Sequence, residues 1–170
     1  MTAWPRDDTR TALGGARGVK LHERIRIARP AVDLYRFWHD VENLPRFMRH
    51  IEHVEDLGHG RTHWVLRGPG GVRLEWNADK INDRAPSLIA WRSVEGSDVA
   101  SAGSVRFTPV SPHDTDVTVM LQYSAPGGRA GAALAWLFGQ SPSSQLHEDL
   151  RWLKYLLEAG AGHLAPGLSA

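Results

Sequence analysis

The sequence predicts an α+β domain in which a curved antiparallel sheet of about seven strands wraps one long C-terminal helix. Leu146, Leu150, Leu153 and Leu157 recur at steps that only a helix brings onto one face. Between Gly18 and Tyr123, by contrast, apolar residues alternate in short runs that turn residues interrupt every ~8–12 positions. No second helix of comparable length exists to receive the leucine stripe, so the stripe must lie on the sheet.

Taken in order, residues 1–17 are polar, charged and glycine-bearing with no period, and are expected to be a loose arm. The domain is expected over 18–160, with a tail at 161–170. Val19, Leu21, Ile25 and Ile27 alternate with Lys20, His22, Arg24 and Arg26, which makes a strand with a basic, solvated back. Pro30 opens a short helix in which Leu34, Phe37, Trp38 and Val41 fall at i, i+3, i+4 and i+7. Asn43-Leu44-Pro45 breaks it, and Arg46-Phe47-Met48 reads as a second helical turn whose apolar pair would close the mouth of whatever the sheet encloses. Strands follow at 51–57, 62–66, 72–81, 88–93, 99–108 and 116–123. The turns between them are Gly58-His59-Gly60, Gly68-Pro69-Gly70-Gly71, Asn82-Asp83-Arg84-Ala85-Pro86, Gly96-Ser97-Asp98 and the loop 109–114. Residues 130–138 read as a small-residue helix that Gly139 ends. Ser141 as N-cap, Pro142 at the first helical position and Gly160 as the stop give the last helix about 18 residues, or about 27 Å.

At 170 residues the chain is one domain by length. With 20 basic and 19 acidic residues its net charge is +1, so no global field steers it to nucleic acid or an anionic membrane. Cysteine is absent, which removes disulfides and thiolate chemistry and fits a reducing cytoplasm. The opening Met1-Thr2-Ala3-Trp4-Pro5 lacks the apolar core of a signal peptide, and no apolar run reaches the ~18 residues of a membrane span. A cytoplasmic location without an integral membrane segment is expected. Seven tryptophans exceed what a core of this size needs, and such rings often line ligand pockets.

The element order is β-α-α-β-β-β-β-β-β-α. Within it stand Pro30 followed by Tyr35-Arg36-Phe37-Trp38, then Glu42-Asn43-Leu44-Pro45-Arg46-Phe47-Met48 and Trp76-Asn77-Ala78-Asp79. Ile89-Ala90-Trp91-Arg92-Ser93 with Glu95-Gly96-Ser97, and Glu148-Asp149-Leu150-Arg151, complete the set. On these runs the chain resembles the START-like, helix-grip superfamily, in the branch of polyketide cyclase/dehydrase and coenzyme Q-binding START-like proteins. The resemblance covers about residues 19–160 at the level of element order. It implies a sheet gripping the last helix with an apolar cavity between them. It says little about chemistry, because the fold hosts lipid carriers, hormone receptors and cyclases.

The strand 72–81 sets Val72, Leu74, Trp76, Ala78 and Lys80 on one face, opposite Arg73, Glu75, Asn77 and Asp79. The apolar face must look inward, so Lys80 ends a buried row, where its ammonium either meets a ligand head group or snorkels at the rim. In the aromatase/cyclases that the chain resembles, this strand carries Trp-x-Ser-x-Arg. Here Ala78 replaces the hydroxyl and Lys80 the guanidinium fork, a departure that weakens the cyclase reading. The expected ligand-binding set is Phe47, Met48, Trp64, Leu74, Trp76, Ala78, Lys80, Trp91, Phe107, Tyr123, Leu146, Leu150 and Leu153, with Trp91 rather than Arg92 facing in.

His50, Glu52, His53, His59 and His63 look at first like a metal cluster. Odd spacing puts His50 and His53 on opposite strand faces and His59 sits in a glycine turn, so these read as solvated histidines and no metal or cofactor is expected. Gly68-Pro69-Gly70-Gly71 lacks the lysine and hydroxyl of a phosphate loop. No Gly-x-Ser-x-Gly elbow or carboxylate couple marks a catalytic residue. Glu148 and Asp149 are accounted for by the helix dipole. The leading expectation is a monomer or homodimer that binds or carries a small hydrophobic molecule, a polyketide, isoprenoid or lipid. The alternative is a polyketide cyclase/aromatase or dehydratase in which Lys80, Tyr123 or an arginine polarises a carbonyl. A third reading is an accessory protein that docks a partner through exposed aromatics.

Overall fold

A computed structural model describes residues 19–97, 99–124 and 142–159, together with Ala132, which is helical. The chain runs through β1 (Val19–Ile27), α1 (Ala31–His39), a 3-10 helix (Val41–Arg46), β2 (Ile51–Gly58) and β3 (Arg61–Arg67). A short 3-10 turn (Pro69–Gly71), β4 (Arg73–Arg84), β5 (Leu88–Ser93), β6 (Ala100–Ser111), β7 (Asp114–Ser124) and α2 (Pro142–Ala159) follow. The strands form one antiparallel sheet in the order β1-β7-β6-β5-β4-β3-β2. Each strand from β2 onward pairs with its successor, and β1, set apart by the two helical segments, closes against β7. This is the α+β arrangement that the alternation and the leucine stripe predict. The arm expected at 1–17, the tail at 161–170 and, apart from Ala132, the helix expected at 130–138 lie outside the described residues.

The four leucines of α2 are buried in the same core as Leu21 and Ile27 of β1. Each is worth ~1.5–3 kcal/mol of transfer free energy, so the stripe supplies about 6–12 kcal/mol before ordering entropy is subtracted. Polar contacts fix the helix along β1. Lys154 Nζ donates to the Arg26 carbonyl at 2.7 Å, and the Ala28 amide donates to the Glu158 carboxylate at 2.7 Å. The Arg29 guanidinium donates twice to the Leu157 carbonyl, at 3.0 and 2.8 Å, and so satisfies an acceptor that the helix end leaves bare.

Two expectations change here. Asp149 is not explained by the helix dipole: it lies beyond the first turn, three residues after Leu146 on the buried stripe, and is 0 % exposed. His50 and Arg49 each stand 3.6 Å from its carboxylate, which accepts no hydrogen bond from the described residues. His50, correspondingly, is buried rather than solvated, with Gln145 Nε2 3.4 Å from its Nδ1. Burial and the Asp149 charge push the phenol of buried Tyr123 above its ordinary range.

The second change is in β4, which Asn82, Asp83 and Arg84 extend rather than end. They pair with Ala90, Ile89 and Leu88, after a register shift between Lys80 and Asn82. On a regular strand residues three apart face opposite ways, and the bulge reverses that parity, so Lys80 and Asp83 come to one side. On β5, Trp91 faces in and Arg92 faces solvent. The Trp91 ring lies over its cross-strand partner Gly103, where a Cβ would stand 2.4 Å from Trp91 Cζ2. Only glycine leaves the ring its place.

Candidate functional site

A cleft of about 130 Å³ opens where α1 and the 3-10 helix meet the β2–β3 turn. The end of α1 supplies Trp38 and His39, and the 3-10 helix supplies Val41 and Leu44. Asp56, Gly58, His59 and Gly60 come from the turn, and Thr62, Trp64, Lys80, Ile89 and Trp91 from the sheet. Gly58, His59 and Gly60 hold φ of 85°, 53° and 77°, a left-handed run that the two glycines adopt without steric cost and His59 against its Cβ. The Lys80 amide donates to the Gly60 carbonyl at 2.8 Å and pins this turn to β4.

Aromatic packing forms the inner wall. Trp64 and Trp76 are direct cross-strand partners whose rings lie 9° from parallel with centroids 6.1 Å apart, and Trp64 stacks on Trp91 at 5.8 Å. Trp64 Nε1 donates to Thr62 Oγ1 at 2.8 Å. The Nε1 of Trp38 is buried without a hydrogen-bond partner among the described residues.

Of the expected ligand-binding residues, the structure brings Trp64, Lys80 and Trp91 together on this cleft. Trp76 lies behind Trp64 and meets Tyr123 edge-on at 6.0 Å. Phe47 and Phe107 pack on Trp38 from the core side, at 5.0 and 6.2 Å. Phe47, Met48, Leu74, Ala78, Leu146, Leu150 and Leu153 are buried in the core and do not border the cleft. Phe47 and Met48 are therefore core residues rather than a cover over the mouth.

Lys80 shares the Trp91 face as its cross-strand partner, yet its side chain is 30 % exposed and sits at the rim. Its Nζ stands 2.9 Å from Asp83 Oδ2 and 3.0 Å from His39 Nε2, and His39 Nε2 is itself 3.0 Å from Asp83 Oδ2. Tyr35 Oη donates to Asp83 Oδ1. Burial raises the Asp83 carboxyl, but the hydrogen bonds from Tyr35, Lys80 and His39 outweigh it and leave the group below the ordinary carboxylate range. Burial, seconded by the Asp83 hydrogen bond, pushes the Tyr35 phenol up to about 12.

Tyr35, Trp38, His39 and Asp83 were not among the expected ligand-binding residues. Tyr35 and His39 carry a readable signal, since they are one helical turn apart, whereas the part Trp38 plays depends on how α1 sits on the sheet. Asp83 carries none, because the bulge that turns it inward has no distinct residue signature here. Among the described residues no three His, Asp or Glu side chains gather as a metal set would, and no helix is long and apolar enough to cross a membrane.

Residues 27–151 match the family described as "Polyketide cyclase / dehydrase and lipid transport", and the chain belongs to that family. This agrees with the resemblance read from the sequence. A crystal structure of a Deinococcus radiodurans protein is 31% identical, with a TM-score of 0.70, and covers 84% of this chain and 98% of that one. The di-domain aromatase/cyclase BexL of the BE-7585A biosynthetic pathway shares the fold, at 23% identity and a TM-score of 0.59 over 84% of this chain and 47% of that one. An uncharacterized 17.2 kDa protein of Streptomyces lincolnensis is 29% identical over 104 residues, which span 61% of this chain and 68% of that protein.

Proposed function

We propose that the protein binds or carries a small hydrophobic molecule seated in this cleft against Trp64 and Trp91. The observation that carries the reading is the division of the cleft: indoles and aliphatic groups make its walls, and the charged groups sit at its mouth and along the hairpin turn. An apolar cavity of ~150 Å³ holds a benzene. A cleft of about 130 Å³ therefore takes a single ring or its equivalent, and the rest of a polyketide, isoprenoid or lipid extends past Lys80. A cytoplasmic setting, supported by the absence of cysteine, and a monomer or homodimer with no resident cofactor complete the reading.

Native mass spectrometry of protein purified without detergent, followed by organic extraction, tests it. An apolar molecule should leave the wild-type protein and be depleted from Trp91→Ala. A wild-type protein that carries nothing and takes up no apolar ligand overturns the reading.

One observation favours a second reading, polyketide cyclisation or dehydration in the same cleft: Lys80, His39 and Asp83 form a triangle about 3 Å on a side that can hold and pass a proton. On that reading Lys80→Ala lowers turnover ~100-fold while ligand still binds. A ligand recovered chemically unchanged after incubation removes it.

A further inference from the structure

We infer that the cleft selects an uncharged ring bearing a hydrogen-bond acceptor, an aryl ketone, aldehyde or ester, over a hydrocarbon, carboxylate or amine of the same size. This rests on the binding reading above and adds to it the chemistry of the ligand.

The donors are in surplus. An ammonium offers three N–H groups. Asp83 Oδ2 takes one from Lys80 at 2.9 Å. His39 Nε2 is 3.0 Å from both the Lys80 ammonium and the Asp83 carboxylate, and it can serve only one of them. As a bare acceptor it takes a second Lys80 proton, and as an N–H it donates to Asp83 instead. Either way at least one Lys80 N–H stays unused among the described residues, at the mouth of the cleft. A ligand oxygen at the mouth can accept it, whereas a hydrocarbon there strips the ammonium of hydration and returns no hydrogen bond.

Of the neutral side-chain acceptors on the walls, Thr62 is already engaged. Thr62 Oγ1 receives the Trp64 indole at 2.8 Å and donates to the Ala78 carbonyl at 3.3 Å. Charge is balanced as well. Asp83 neutralises Lys80, and Asp56 on the turn side adds a carboxylate, held by the Gly58 amide at 2.8 Å, that disfavours an anionic ligand. The Lys80 ammonium in turn disfavours an amine. What remains complementary is a flat apolar body with a neutral oxygen.

Four isosteric probes decide the matter: acetophenone, ethylbenzene, benzoate and benzylamine, each titrated by tryptophan fluorescence and calorimetry into the wild type and Lys80→Met. Acetophenone should bind at least ~10-fold more tightly than ethylbenzene and more tightly than either charged probe, and its preference over ethylbenzene should shrink toward parity in Lys80→Met. Ethylbenzene binding as tightly as acetophenone, a charged probe binding tightest, or a preference that survives Lys80→Met overturns the inference and leaves the apolar-binding reading standing. Failure of all four probes to bind overturns both.

Discussion

Replacing Gly103 by alanine places a methyl group 2.4 Å from Trp91 Cζ2, 2.6 Å from Cε2 and 3.0 Å from Leu121 Cδ2. Carbon atoms pack at ~3.5–4.0 Å, so the Trp91 ring has to shift by roughly 1 Å or more. Trp64 blocks one side, stacked 5.8 Å away, and the free volume is the cleft itself. Overpacking of this kind costs ~1–3 kcal/mol. At ~2–4 °C per kcal/mol for a domain of this size, Tm should fall by about 2–12 °C. Because the displaced ring enters a space of only about 130 Å³, affinity for a cleft ligand should fall with it, by ~10-fold or more. Thermal unfolding and ligand titration on Gly103→Ala measure both. Wild-type Tm and wild-type affinity together would refute the fixed position of Trp91 and with it the shape of the site.

Removing the chain from Pro142 onward deletes the leucine stripe, whose ~6–12 kcal/mol of gross burial is comparable with the ~5–15 kcal/mol net stability of a whole domain. The truncated protein should show no cooperative melt, and a melt near the full-length Tm contradicts the grip. Asp83 titrates below its ordinary 3.8 in the folded protein, so the stability its ionised form contributes is present above that value and lost as pH falls through the lower folded value. The difference in unfolding free energy between wild type and Asp83→Asn should be flat near neutrality and shrink below pH ~4, and a difference that widens on acidification contradicts the assignment. Asp149→Asn should hold or raise Tm, since the buried carboxylate gives up its hydration without a hydrogen bond from the described residues. A clear loss of stability would show that attraction to His50 and Arg49, each at 3.6 Å, exceeds that cost.

How much was legible depended on whether periodicity or geometry carried the information. The leucines of α2 and the alternation of β1 are periodic, and the structure follows them almost residue for residue. Asp149 was also readable, since it falls three residues after Leu146 on the stripe, but a carboxylate near a helix start has a ready explanation that hid its burial. The end of β4 misled for a different reason. Asn82-Asp83-Arg84-Ala85-Pro86 has the composition of a turn, and a single register slip lets its first three residues pair with β5 instead. That slip brings Asp83 to Lys80, and through it Tyr35 and His39, so the polar half of the site depends on a feature that residue types do not announce. The apolar half was partly visible: the inward faces of Trp64 and Trp91 follow from strand alternation, whereas the contribution of Trp38 depends on how α1 sits on the sheet.

The most direct test of where ligand binds is to follow the indole N–H resonances of Trp38, Trp64, Trp91 and Trp152 as a single-ring ligand is added. Ligand in the cleft shifts the first three and leaves Trp152, exposed on the outer face of α2, unmoved. Shifts at the methyl groups of Leu146, Leu150 and Leu153, with the three cleft indoles unchanged, would place the ligand between helix and sheet and contradict the site described above.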